Sequence, residues 1–186
     1  SRRDILKTIG ATASGAYLFS HGLGAGAQFA RREITLNGRR ITTVDIHAHC
    51  VFPEVRDIIA GTTLAAVAPF PEWQMLGPSR LEAITQRGID YQALSMTING
   101  HWWYAADRDL AARIVRAADE ALALWVDQHP NRFVALSSVA LPYPDLAAEQ
   151  LEYAVTQLGA RGASVGGQVH GEYPSSERFD PLWAKA

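Results

Sequence analysis

Two histidines separated by one residue, His47 and His49, follow the short apolar run Thr43-Val44-Asp45-Ile46. If that run is a β-strand, alternate side chains share a face, so the two imidazoles point the same way. Two neutral imidazoles on one face make a chelating pair for a divalent ion. Imidazole nitrogen suits zinc first, with manganese or iron as alternatives, and a pair on one strand leaves further ligands to come from elsewhere. Alone, a His-x-His is a weak signal, equally readable as two partly buried histidines bonded to backbone. Its place at the end of the first apolar strand strengthens it, because barrel enzymes keep their chemistry at the C-terminal ends of their strands. The same alternation sets Asp45 on the face of His47, either as a partner supporting a ligand or as a plain strand-start residue. Cys50 is the only cysteine, which excludes an intramolecular disulfide and any cysteine-based zinc cluster and reads as a small buried hydrophobe.

The elements that must position this pair follow an alternating pattern. From residue 41 onward short apolar runs alternate with helical periodicity, the signature of βαβ units around a parallel sheet. Strands are expected at Ile41 to His47, Tyr91 to Thr97, Phe133 to Val139 and Ala163 to Val165. Ser79-Arg80-Leu81-Glu82 reads as a capping box opening a helix that Gly88 stops. From about Asp107 to His129 a helix places Leu110, Ile114, Ala118, Leu122, Trp125 and Val126 on one core stripe, with Trp125 there for packing. Asp145 is expected to cap a helix carrying Leu151, Ala154, Val155 and Leu158 up to Gly159, and Asp180-Pro181 to open a last one. The segment from Ala65 to Pro78 reads as a long loop after the first strand.

Four β/α units are half of an eightfold barrel, whose usual length is about 250 residues. The expected fold class is therefore α/β: the N-terminal half of a (β/α)8 TIM-type barrel over residues 41–186, truncated at the C-terminus, with a lead-in over 28–40 and a signal segment over 1–27. That first segment begins Ser1-Arg2-Arg3-Asp4-Ile5-Leu6-Lys7, which resembles the twin-arginine export signal. An uncharged stretch rich in Gly and Ala follows, ending in Ala25-Gly26-Ala27, a small-x-small cleavage site. Its five glycines and scattered Ser, Thr and His make it too weakly apolar for a stable membrane anchor, so a periplasmic or secreted product is expected. A net charge of -2 with 19% charged residues and no dense Lys/Arg stripe argues against nucleic acid as a partner.

Five blocks in order carry a family resemblance: Val44-Asp45-Ile46-His47-Ala48-His49; Gly88-Ile89-Asp90-Tyr91-Gln92-Ala93-Leu94-Ser95; His129-Pro130-Asn131-Arg132-Phe133 leading into Leu141-Pro142; Leu158-Gly159-Ala160-Arg161-Gly162-Ala163; and Phe179-Asp180-Pro181-Leu182-Trp183. Together they resemble the amidohydrolase superfamily, in particular its decarboxylase branch, typified by aminocarboxymuconate semialdehyde decarboxylase and gamma-resorcylate decarboxylase. The resemblance implies a barrel holding a divalent metal, usually zinc or manganese, with His47 and His49 as its first two ligands. It also implies nonoxidative loss of CO2 from a small unsaturated or aromatic carboxylic acid, and barrels that often pair as homodimers. The family's remaining ligands and its catalytic residues are expected beyond residue 186, so His170, in the loop after the fourth strand, does not stand in for them, and this chain alone is expected to be inactive.

Loops after barrel strands face the active-site mouth. His101, Trp102 and Trp103 after the second strand, and Gln168 and His170 after the fourth, are accordingly the candidate substrate contacts, with a hydrophobic lid or subunit contact as the alternative for the aromatic cluster and a solvated loop as the alternative for His170. Two other functions are open to this sequence: a metal-dependent hydrolase of a lactone, amide or similar bond, since metal-bound hydroxide serves both reactions, and a noncatalytic fragment or pseudoenzyme.

Overall fold

The computed structural model describes residues 31–96 and 100–186. The expected signal segment lies outside the described residues. Three parallel strands, β3 (Val44–Cys50), β4 (Tyr91–Met96) and β5 (Phe133–Ala135), form a sheet in the order β3-β4-β5. The helices connecting and flanking them are α1 (Pro53–Ile59), α2 (Pro78–Gln86), α3 (Arg108–Gln128), α4 (Pro144–Leu158) and α5 (Asp180–Trp183). No helix among the described residues is long and apolar enough to cross a membrane.

One face of the sheet is core. Ala48 and Cys50 from β3 and Leu94 and Met96 from β4 are buried in one cluster with Val55 and Ile59 of α1, Ile114, Ala118 and Leu122 of α3, and Leu151 of α4. The helical period in the sequence and the burial agree over α3, whose N-terminus is capped by the Asp107 carboxylate accepting from the Leu110 N–H at 2.8 Å. Trp125 packs against His129 and Phe133, as its place on the stripe predicts. Gly88, with φ +76°, turns the chain out of α2, and a Cβ there would meet the Arg32 carbonyl oxygen at 2.5 Å.

Several boundaries differ from expectation. The first strand runs Val44–Cys50 rather than Ile41 to His47, because residues before it are bound elsewhere: the Ile41 N–H donates to Ile34, and the Thr43 N–H donates to the Asp90 carboxylate at 2.8 Å. Upstream lies a hairpin that the sequence reading missed, β1 (Thr35–Leu36) with β2 (Arg39–Arg40), whose Asn37-Gly38 turn has positive φ at both residues. Helix α1 was also unforeseen. Helix α2 starts from Gly77 with Pro78 in its first turn, so Ser79 sits inside the helix and caps nothing. In the same way α4 starts from Tyr143 with Pro144, which leaves the Asp145 carboxylate to take both Arg108 amino groups, at 2.8 and 2.7 Å. Pro is preorganised for the first helical position and takes the start in both cases. Asp180 is the first residue of α5 rather than its cap.

The third and fourth strands are shorter than expected. β5 ends at Ala135, and Ala163 joins it through a single parallel bridge to Ser137. Ser137 keeps its backbone bonds to Gly162 and Ser164, while its hydroxyl and the Ser138 N–H donate to the Asp119 carboxylate of α3 at 2.5 and 3.1 Å. Val155, expected on the packed stripe of α4, is exposed.

Candidate functional site

The burial of Ala48 and Cys50 decides where the histidines go. With those two residues in the core, the alternate residues His47 and His49 face the other way, His47 exposed and His49 half-buried. Their rings meet edge to face with centroids 4.8 Å apart, and their Nε2 atoms lie 3.0 Å from one another. An ion bound by imidazole at about 2.0–2.1 Å holds two adjacent ligand nitrogens about 3 Å apart. The pair therefore has the separation of two ligands sharing one ion. Burial, with the charges of His47 and Arg80 adding, holds the His49 imidazole below its ordinary pKa against the opposing pull of Asp45. That favours the neutral form, which is the form that ligates. Among the described residues, no group of three or more His, Cys, Asp and Glu comes together to hold an ion.

Asp45 behaves differently from the face-sharing expected of it. The register of β3 on β4 shifts between Asp45 and Ala48, so that Asp45 stands beside Gln92 while His49 stands beside Ser95. Gln92 alternates with Leu94 and Met96 on the core-facing side of β4, and Ser95 lies on the opposite side. The irregularity thus sets Asp45 beside Gln92 and out of regular alternation with His49. Its carboxylate accepts from the backbone N–H of His47 at 3.2 Å and from Gln92 Nε2 at 2.8 Å, and supports the ligand's backbone rather than its ring.

Arg80 and Gln92, which in the sequence belong only to a helix start and to a family-like block, turn out to be part of the site. Arg80 of α2 donates from Nη2 to the His49 carbonyl at 2.7 Å and to the Gln74 carbonyl at 3.3 Å, and from Nη1 to Gln92 Oε1 at 2.9 Å. These residues, with Asp45, His47, His49 and the exposed Trp73, line a cleft of about 630 Å³. No local signal announces them, since Arg80 is 31 residues from His49 and Gln92 is 47 from Asp45.

The expected mouth residues divide. Trp103 is fully buried, and its Nε1 donates to the Val139 carbonyl at 3.3 Å, so it is a core pillar and not a substrate contact. A large apolar ring followed by a short turn buries itself wherever the sheet leaves room, which overrides its loop position. Trp102 is half-buried, edge-on to Phe70 and Trp103. His101, Gln168 and His170 do come together: they line one cleft of about 640 Å³ with Tyr104 and Tyr173. Two contacts clasp it. The Gly166 N–H donates to the Tyr104 hydroxyl at 3.1 Å, and His170 Nε2 lies 3.1 Å from the Tyr104 carbonyl oxygen. His101 packs between Trp103 and Tyr104 with its Nδ1 against Gly166. Burial chiefly, and the charge of His49 in addition, hold the His101 imidazole below its ordinary pKa, while a bond to the Ser164 backbone opposes them.

Comparison with known proteins gives this geometry its context. The family described as amidohydrolase matches residues 44–186. A gamma-resorcylate decarboxylase from Rhizobium sp. is 28% identical over 155 residues, spanning 76% of this chain and 46% of the relative. The 2,6-dihydroxybenzoate decarboxylase from Rhizobium superposes with a TM-score of 0.59 at 25% identity, over 77% of this chain and 46% of that one. The 5-carboxyvanillate decarboxylase from Novosphingobium aromaticivorans, solved with bound manganese and 3-methoxy-4-hydroxy-5-nitrobenzoic acid, superposes with a TM-score of 0.65 at 20% identity, over 77% of this chain and 47% of that one. The chain thus spans less than half the length of these relatives. The parallel sheet, its flanking helices and the family match from β3 onward establish that the chain belongs to the amidohydrolase family.

Proposed function

We propose that this chain supplies the first two metal ligands, His47 and His49, of a metal-dependent carboxy-lyase acting on a small aromatic or unsaturated carboxylic acid. The observation that carries the reading is the convergence of the two Nε2 atoms at 3.0 Å on a strand of an amidohydrolase-family fold. The donor set fits a divalent ion. Manganese, named in the neighbour from Novosphingobium aromaticivorans, and zinc, the first expectation for imidazole, are the two candidates. When bound, such an ion supplies Lewis-acid polarisation of the substrate.

In nonoxidative decarboxylation the bond between the carboxyl carbon and its neighbour breaks. CO2 leaves, the electron pair remains on that neighbouring carbon, and a proton replaces the carboxyl group there. In this reading His47 and His49 hold the ion and take no proton. His101, Gln168 and His170 contribute to the mouth and Trp102 is a further candidate contact; Trp103, being fully buried, is not among the contacts. The relatives named as decarboxylases of resorcylate and dihydroxybenzoate favour a planar hydroxylated acid. We further propose that Ser1 to Ala27 direct export by the twin-arginine route.

The test is CO2 release by the whole protein from a panel of hydroxybenzoates and muconate semialdehydes, run beside hydrolysis of esters and lactones with the same metal-loaded preparation. Metal-dependent CO2 release from a hydroxybenzoate supports the lyase. Hydrolysis without any CO2 release overturns it.

A further inference from the structure

We propose that Arg80 is a positioning residue for the histidine pair, acting through Gln92 and Asp45 to set the backbone of both ligand residues. The proposal rests on the reading of His47 and His49 as metal ligands. It stands on a continuous path of hydrogen bonds. Arg80 Nη2 donates to the carbonyl of His49 at 2.7 Å, Arg80 Nη1 donates to Gln92 Oε1 at 2.9 Å, Gln92 Nε2 donates to Asp45 Oδ2 at 2.8 Å, and Asp45 Oδ1 accepts from the N–H of His47 at 3.2 Å. The path begins on one ligand residue and ends on the other.

The register shift explains why such a path is needed. His47 lies inside the irregular stretch between Asp45 and Ala48, where the regular ladder to β4 is broken. A strand at that point loses the bonds that ordinarily fix the direction of its side chains. The Asp45 carboxylate takes up the His47 N–H that the interrupted ladder leaves over. Gln92 orients that carboxylate, and Arg80 orients Gln92. A guanidinium suits the last role because its donors are held in a rigid plane and can serve several acceptors at once, which a lysine ammonium on a flexible stem does not reproduce. Among the described residues Arg80 hydrogen-bonds to no carboxylate; its partners there are two carbonyls and an amide oxygen. A charge held for ion pairing alone would be placed otherwise.

The experiment uses the whole protein, stripped of metal and titrated with Co²⁺, in wild type and in the Arg80→Met, Arg80→Lys and Gln92→Met variants. Affinity is read by calorimetry, and ligand geometry by the visible d–d bands of the saturated protein. The expected result is Co²⁺ binding about 10- to 100-fold weaker in Arg80→Met, the range found when groups that orient metal ligands are removed. Its band envelope at saturation should also change, with Gln92→Met shifted in the same direction and Arg80→Lys failing to restore the wild-type spectrum. A purely structural arginine would lower thermal stability but leave the saturated spectrum unchanged. Superimposable spectra for wild type and Arg80→Met therefore overturn the proposal. If Arg80→Met does not fold, Gln92→Met is judged by the same criterion. A His47→Ala/His49→Ala control separates the two readings: if it binds Co²⁺ as wild type does, the metal assignment itself fails, whereas loss of binding there with an unaltered Arg80→Met spectrum removes only the role of Arg80.

Discussion

Asp119 offers a quantitative test of the packing between α3 and the strand region. Its carboxyl is buried, and burial pushes its pKa from 3.8 up to about 7, against the opposing hydrogen bonds from Ser137 and Ser138. The folded protein therefore binds this proton more tightly than the unfolded chain does. The stabilising contribution of the protonated group is fully present below pH 3.8 and is lost as pH rises through about 7. Each pKa unit corresponds to about 1.4 kcal/mol, and half of the group is ionised in the folded protein at pH 7, so stability should fall by roughly 2 kcal/mol between pH 5 and pH 7 from this residue alone. Asp119→Asn removes the titration while keeping an oxygen for the Ser138 N–H and an amide for Ser137. Urea unfolding of both proteins at pH 5, 6, 7 and 8 gives the difference directly, because all other titrating groups are common to both. The wild type should lose about 2–3 kcal/mol more than the variant across that range. Parallel pH profiles would refute the assignment of a raised pKa to this buried carboxyl.

Three further outcomes follow from other parts of the structure. Trp103→Ala, which empties a fully buried site, should cost about 3–5 kcal/mol in chemical denaturation; a cost under about 1 kcal/mol would return Trp103 to the mouth as a surface residue. Gly88→Ala forces a Cβ against the Arg32 carbonyl oxygen at a residue with φ +76° and should lower stability by about 1–3 kcal/mol, measured as a fall in urea midpoint. Replacing Arg2 and Arg3 by Lys should leave the product in the cytoplasm on cell fractionation; undiminished export would remove the twin-arginine reading.

The sequence was most legible where order is local. The long helix α3 follows from apolar residues at helical spacing and from Asp107 before them, both of which act within a few residues. The histidine pair was legible because alternation along one strand needs no partner to be known. Asn37-Gly38 carried an equally local hairpin signal that went unread. What could not be read is set by contacts between distant segments. The register shift in β3 depends on how that strand meets β4, and it takes Asp45 out of regular alternation with His49. Arg80 and Gln92 look like ordinary polar residues until α2 and β4 are folded against β3. Trp103 looked like a mouth residue because its loop follows a strand, yet the core had space for its ring and a carbonyl for its N–H. The two proline-started helices show a competition between local signals, in which a fixed backbone angle outweighs a carboxylate or hydroxyl one residue later.

The central claim is that His47 and His49 jointly hold a divalent ion, and metal analysis of the whole protein tests it most directly. Protein purified with Mn²⁺ or Zn²⁺ present and then freed of loose ions should carry stoichiometric metal by elemental mass spectrometry, and the His47→Ala/His49→Ala variant, folded by circular dichroism, should carry none. Stoichiometric metal retained by that double variant would contradict the account.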